Sequence, residues 1–263
     1  MTTVQEILTF LETLAPRYMK MEWDNVGLLC GRPGREVRRI LVALDPFEDV
    51  CREAAEWGAE LLVNHHPLIF QPVRALTDDT SVGRCLLFLA ARDMAAINAH
   101  TNLDCAPGGV NDCLAGALGL EETVVLHPSG VDEAGRPWGL LRAGRREPVP
   151  LETFLEQVKK GLGCPGLRYV SGGRPVCRVA VGGGACGDGI RAVFDAGCDT
   201  FVTADVKYNQ FWDARDLGLN LIDAGHFWTE HPVCAALADR LRRQFPQIQV
   251  KVSEHHTDCI KFC

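Results

Sequence analysis

The feature that most restricts the fold is a strand-helix-strand pattern that occurs twice. Laying residues 37–66 over residues 176–205 without a gap aligns Ile40 with Val179, Gly58 with Gly197, Glu60 with Asp199 and Val63 with Val202. In the first copy the apolar run 39–44 reads as a strand, 48–57 as a helix and 61–63 as a second strand, with Gly58 placed to end the helix. In the second copy 190–194 falls on that helix. Apolar strands joined by helical crossovers build parallel sheets, because parallel neighbours need a long connection. A third strand follows each copy and runs toward a histidine, 94–98 before His100 and 220–223 before His226. The pattern therefore predicts an α/β chain of two related halves with a pseudo-twofold repeat rather than a many-unit solenoid. The halves are expected at 1–125 and 176–263, the second packing back on the first, with 126–175 as a connecting segment.

Other segments read more locally. Thr3 and Glu6 form a capping box before Val4, Ile7, Leu8, Leu11 and Leu14, and Pro16 closes that helix. Residues 128–148 are rich in Gly, Pro and Arg and suggest turns and short antiparallel strands, whereas 150–162 reads as a helix after Pro150. The net charge of −7 leaves no basic surface to neutralise phosphates, which argues against nucleic-acid partners. No apolar run is long enough to span a membrane. The twelve cysteines are irregularly spaced with no C-x-x-C, and the first residues lack a basic stretch followed by an apolar one. A cytoplasmic chain with reduced thiols is the expectation.

Three short clusters of histidine and carboxylate stand where strands end. His65-His66 follows the second strand directly and precedes Pro67. Adjacent strand residues point to opposite faces, so these two can share a site only where the backbone turns. The other clusters, His100 with Asp104 and His226 with Glu230, are both His-x-x-x-carboxylate, a spacing that puts both groups on one helix face. Imidazole and carboxylate together suit borderline divalent cations such as Zn, Mn, Fe, Co or Ni. The donors His65, His66, Asp104, His226 and Glu230 number five, with His100 a candidate sixth. That exceeds what one zinc ion takes and suits two metals sharing a bridging carboxylate and water, about 3.5–4 Å apart. Glu230 is favoured as the bridge.

The motifs W-D-N-V-G-L-L at 23–29, N-H-H-P-L-I-F at 64–70, A-H-T-N-L-D at 99–104, G-G-V-N-D at 108–112, G-G-G-A-C-G at 182–187, T-A-D-V-K-Y at 203–208 and D-A-G-H-F-W-T-E at 223–230 run in order along most of the chain. In these the chain resembles the Nif-three-like dinuclear metal centre family, also called the GTP cyclohydrolase type 2 homologue family. The resemblance implies a Nif-three-like fold with the metal site at the interface of the two halves and two divalent ions per chain. It places the ligands on His65, His66, Asp104, His226 and Glu230, and it implies a ring-shaped homohexamer. Ala204 and Asn209 depart from the family's usual T-G-D-x-K-Y-H. A carboxamide at 209 cannot carry a proton as a histidine can.

The segment 182–187 also satisfies G-x-G-x-x-G between a strand and a helix, a dinucleotide-binding context. Its ribose partner could only be Asp205, which belongs to another family motif, so a nicotinamide oxidoreductase rests on the glycines alone. The better reading is a tight turn or close backbone approach beside the cavity, with amides that could face an anionic substrate. The leading functional expectation is a metal-dependent hydrolase acting on a nucleotide-like or phosphorylated small molecule. His100, Asp205, Lys207 and His231 are candidates for contacts to the ligands or to substrate. The alternative is a non-catalytic metal-binding or partner-binding assembly.

Overall fold

Thr3 starts the first helix, α1 (Val4–Leu14), through the reciprocal bonds of a capping box. Its hydroxyl accepts the Glu6 amide at 3.3 Å, and the Glu6 carboxylate accepts the Thr3 amide at 2.7 Å. The computed structural model describes residues 1–263 and separates into two compact units, Met1–Leu103 with Cys234–Thr257 and Asp104–Val233 with Asp258–Cys263. No helix is long and apolar enough to cross a membrane.

The first unit holds a five-stranded sheet made of β1 (Gly27–Cys30), β2 (Arg39–Ala43), β3 (Leu61–Asn64), β4 (Ala95–Asn98) and, from near the C-terminus, β13 (Gln249–Val252). The order is β1-β4-β3-β2-β13, with β13, β2, β3 and β4 parallel and β1 antiparallel to β4. Helices α2 (Glu48–Trp57) and α3 (Ser81–Ala91) pack Val50, Ala54, Cys85 and Leu89 against Leu41, Leu62 and Ala96 of the sheet. A short helix α4 (Thr101–Cys105) starts immediately after His100.

In the second unit a six-stranded sheet runs β5-β8-β10-β11-β12-β9, built from β5 (Glu121–Leu126), β8 (Leu141–Val149), β9 (Arg168–Val170), β10 (Val176–Val181), β11 (Thr200–Thr203) and β12 (Asn220–Asp223). Strands β10, β11 and β12 are parallel; β5, β8 and β9 join antiparallel. A two-stranded ribbon, β6 (Gly130–Val131) with β7 (Pro137–Trp138), stands apart. Alternate residues of β10 serve opposite layers, as the strand's period of two requires. Val179 and Val181 join the cluster formed with α5 (Val110–Ala117) and α6 (Leu151–Leu162), whereas Ala180 joins the one formed with α7 (Ile190–Asp195) and α8 (Tyr208–Leu217). The chain continues through α9 (His226–Glu230) and α10 (Pro232–Gln244).

The aligned residues do the same work in each unit. Gly58 and Gly197 follow α2 and α7 with φ of 75° and 76°, a left-handed conformation that costs glycine little. The Glu60 carboxylate accepts the amides of Arg38 and Arg39 at 3.0 and 2.8 Å as the chain enters β2. Asp199 accepts those of Cys177 and Arg178, the latter at 2.7 Å, on β10.

The compact units divide elsewhere than at the expected boundaries of 1–125, 126–175 and 176–263. Residues 141–149 and 168–170, expected in a connecting segment, are sheet strands that satisfy the backbone groups of β10 and β12. Residues 249–252 pair with β2 in the first sheet. Strands as short as 168–170 and 249–252 carry too few residues for local periodicity to mark them.

Candidate metal centre

In the first unit the strand β3 ends at Asn64 and the backbone bends at the next two residues. The bend is held from both sides. The His66 amide donates to Leu44 O at 2.9 Å, and Asn64 Nδ2 donates to His66 O at 2.6 Å. Both imidazoles therefore turn toward one place, with ring centroids 4.9 Å apart. His100, at the end of the segment leaving β4, completes the cluster at 5.3 Å from His65 and 5.5 Å from His66. One ring nitrogen from each of the three lies within 4.8 Å of the others.

Each ring in this cluster is oriented through Nδ1. His65 Nδ1 donates to Ala99 O at 2.8 Å, His66 Nδ1 to Asp45 Oδ1 at 2.7 Å and His100 Nδ1 to Asp24 Oδ1 at 2.8 Å. A carbonyl or carboxylate can only accept, so the proton is fixed on Nδ1 and Nε2 is left as the donor atom, the arrangement that metal-binding histidines use. Asp24 also accepts the Thr101 amide and hydroxyl, and Asp45 takes His256 Nε2 at 3.0 Å. Burial alone would raise the Asp24 carboxyl, but the bonds from His100 and Thr101 outweigh it and hold it down at about 2. Asp45 is likewise held well below the usual carboxylate range by His256 and His66 against its burial.

The second unit repeats the logic at His226, the first residue of α9. Its Nδ1 meets Asp205 Oδ2 at 2.7 Å, and its Nε2 meets Glu230 Oε2, one helical turn on, at 3.1 Å. Burial would depress this imidazole, yet the bonds to Asp205 and Glu230 prevail and push it up to about 11. The ring is thus held toward its protonated form, with Nε2 facing Glu230. Glu230 is 4% exposed and Asp104 7%. Burial pushes the Cys186 thiol up, and the charges of Asp104 and Glu230 add to it. Asp205 holds its position at φ of 50°, a left-handed conformation that aspartate tolerates better than most residues.

The glycine-rich turn serves this carboxylate. A Cβ on Gly184 would overlap Glu230 Oε1 and come within 3.0 Å of His226 Nε2, and the residue has φ of 63°. Its amide donates to Thr229 Oγ1 at 3.0 Å, while that of Gly183 donates to Asn111 Oδ1 at 2.7 Å. Those two amides are engaged within the unit and do not face an anionic ligand. Asp205, the residue a dinucleotide ribose would need, is bound to His226.

Several residues that position the site were not marked by spacing. Asp24 and Asp45 stand far in sequence from the histidines they orient. Asn111 is wholly buried and ties Asp104 O to Gly183. Arg142, 1% exposed, donates to the carbonyls of Cys105 and Ala106 and to Asp112, fixing the corner after Asp104. Asp24, Asn111 and Asp112 fall inside the W-D-N and G-G-V-N-D motifs, which was their only signal. Of the remaining candidates, Lys207 precedes α8, its amide donating to Gln210 Oε1, and His231 stacks on Phe227 at 4.6 Å. Asn209 lines a cavity of about 510 Å³ with Gly187, Asp188 and Gln210 that contains none of the five expected ligands. Trp23 and Phe70, 62% and 48% exposed, set their ring edges against each other and against His100.

Residues 2–259 match the model of the Duf34/NIF3 (NGG1p interacting factor 3) family. The chain belongs to the DUF34/NIF3 family. It is 34% identical to a Clostridium perfringens protein named GTP cyclohydrolase 1 type 2 homolog, over 98% of this chain and 99% of that one. It is 36% identical to a Streptomyces coelicolor protein of the same name, over 98% and 93%. A Bacillus cereus protein related to NIF3 superposes with a TM-score of 0.94 at 27% identity, covering 100% of this chain and 99% of the other. The DUF34/NIF3 fold is thus present along the whole chain, and groups of histidine and carboxylate able to bind a metal ion lie within it.

Proposed function

We propose that His65, His66, Asp104, His226 and Glu230 hold two divalent metal ions and that the centre hydrolyses a nucleotide-like or otherwise phosphorylated small molecule. The observation that supports this most directly is the fixing of His65 and His66 through Nδ1 by Ala99 O and Asp45, which leaves each Nε2 for a ligand, while His226, held through Nδ1 by Asp205, turns its Nε2 to Glu230. His100 is oriented in the same way by Asp24. Imidazole and carboxylate donors suit Zn, Mn, Fe, Co or Ni, and availability selects among these. When bound, such ions supply Lewis-acid polarisation and make water a nucleophile at neutral pH.

The chain's own residues would do the rest. Asp24, Asp45 and Asp205 keep the rings of His100, His66 and His226 aligned, Asp205 accepting the Nδ1 proton of His226, and Glu230 would hold an ion from beside His226 Nε2. The exposed rings of Trp23 and Phe70 beside His100 offer stacking faces suited to a planar heterocycle. Lys207 and His231 are the candidates for contacting an anionic substrate. The relatives named GTP cyclohydrolase 1 type 2 homolog make GTP the first nucleotide to assay. A cytoplasmic homohexamer is the accompanying proposal, supported by the family resemblance and by twelve cysteines held as thiols.

The test is metal analysis of protein purified without added metal, paired with a screen of nucleotide and phosphoester hydrolysis on the parent, His65→Ala and Glu230→Ala. Two ions per chain and loss of hydrolysis in both variants are expected. Less than one ion per chain would falsify the dinuclear centre. Equal activity in parent and variants would leave metal binding without catalysis, the non-catalytic assembly.

A further inference from the structure

Within the first unit, the segment that follows β13 reaches a support of the candidate metal centre. Strand β13 lies parallel to β2, and the pairing continues past its end, the Ser253 amide donating to Val42 O at 2.8 Å. Glu53 of α2, 4% exposed, then holds the chain as it turns: its carboxylate accepts the Ser253 hydroxyl and the amides of Glu254 and His255, the last two at 3.0 and 3.2 Å. Ser253 Oγ in turn accepts the His256 amide at 3.1 Å. The His256 side chain is thereby directed inward, 6% exposed, in a T-shaped contact with Phe47. Its Nε2 lies 3.0 Å from Asp45 Oδ2, while Oδ1 of the same carboxylate holds His66 Nδ1 at 2.7 Å. Two imidazoles remote in sequence thus share one carboxylate, and because an ionised carboxylate only accepts, both ring nitrogens donate. These two donors keep Asp45 ionised against its burial. The torsion that turns an aspartate carboxylate is broad, so one held oxygen leaves the group free to swing. A donor on each oxygen fixes its plane, and with it the line along which His66 is held.

Resting on the reading of His66 as a metal ligand, we propose that His256 is a positioning residue of the metal centre, fixing the Asp45 carboxylate so that the His66 ring presents Nε2 to the ion. His256 itself touches neither ion nor substrate; it acts through Asp45 and then through His66. Groups that orient a ligand directly govern roughly 10–100-fold in metal affinity, and His256, one bond farther out, should govern about tenfold. The coupling is reciprocal. An ion that holds His66 still also holds Asp45, and through it the segment 253–257.

The experiment measures zinc affinity of the full chain by competition with a chromophoric chelator, in the parent, His256→Phe and His256→Gln. Phenylalanine keeps a ring against Phe47 and removes the donor, whereas the glutamine carboxamide places an N–H near where Nε2 stands. Affinity about tenfold weaker in His256→Phe and close to the parent in His256→Gln is expected. A role in packing alone would give the reverse order. In the parent, hydrogen exchange of the peptide covering 253–257 should slow when zinc is added, and that protection should be lost in His256→Phe. Equal affinity in the parent and His256→Phe, or a loss in His256→Gln as large as in His256→Phe, overturns the role of His256 and leaves the metal centre standing. A parent that binds no zinc overturns the metal reading itself and the role of His256 with it. Where His256→Phe folds poorly, His256→Gln and the exchange of the parent decide, and exchange unchanged by zinc overturns the proposal.

Discussion

The Asp24 carboxylate accepts the Nδ1 proton of His100 at 2.8 Å, across 76 positions of sequence, and with its second oxygen accepts the Thr101 amide at 3.0 Å. One side chain thus sets the ring of a candidate ligand and the first turn of α4. Asp24→Asn keeps the shape but leaves one good acceptor atom for these donors. We expect a loss of about 1–3 kcal/mol in urea unfolding, with metal affinity weakened about 10–100-fold. An unchanged unfolding midpoint would show that Asp24 does not hold this corner.

Acid should reveal the same carboxylate. The bonds from His100 and Thr101 hold its pKa down to about 2 in the folded chain, against 3.8 for a free aspartate side chain. The unfolded chain therefore binds the proton first. Stability from Asp24 is complete above about 4 and is lost as pH falls through about 2. Unfolding followed from pH 5 to pH 2 should fall more steeply for the parent than for Asp24→Asn. Parallel curves would refute the assignment.

His226 should make metal binding release a proton. With its pKa at about 11 the ring is an imidazolium at neutral pH, and a dication at Nε2 must displace the proton shared with Glu230. Affinity should rise by about tenfold per pH unit for one displaced proton. Titration calorimetry in two buffers of different ionisation enthalpy measures the number released. In His226→Ala that release should vanish together with the ion.

Gly184→Ala tests the close approach of the glycine turn. The added Cβ overlaps Glu230 Oε1, and φ of 63° strains any L side chain. The backbone cost is about 1–2 kcal/mol, and Glu230 must move. Metal content per folded chain should drop. Gly173→Ala, also at positive φ but with open space around its Cβ, should lose comparable stability while keeping its metal.

The carboxylates of Glu60 and Asp199 should behave as equivalents. Each accepts two backbone amides at the start of a parallel strand. Glu60→Gln and Asp199→Asn should each cost about 1–2 kcal/mol in chemical unfolding. A large effect at one and none at the other would mean that only one strand entry depends on its acid.

Much of this molecule was legible residue by residue. Apolar runs such as 39–43 and 176–181 fix parallel strands, because a strand buried on both faces needs nothing but apolar side chains. Gly58 and Gly197 announce helix ends, since few other residues accept that backbone conformation. The histidine and carboxylate clusters were visible because each is a local motif at a strand end. What folding alone decided is which distant groups meet. Asp24 finds His100, Asp45 finds both His66 and His256, Asn111 finds Gly183, and β13 lies beside β2. No periodicity marks such pairs, for a hydrogen bond between remote residues depends on packing that the intervening sequence does not encode locally. The sequence by itself determined the parallel strands of the two repeated units, the crossovers between them and the donor types. The tertiary structure decided the proton positions on the imidazoles, because those follow from the acceptor each ring faces.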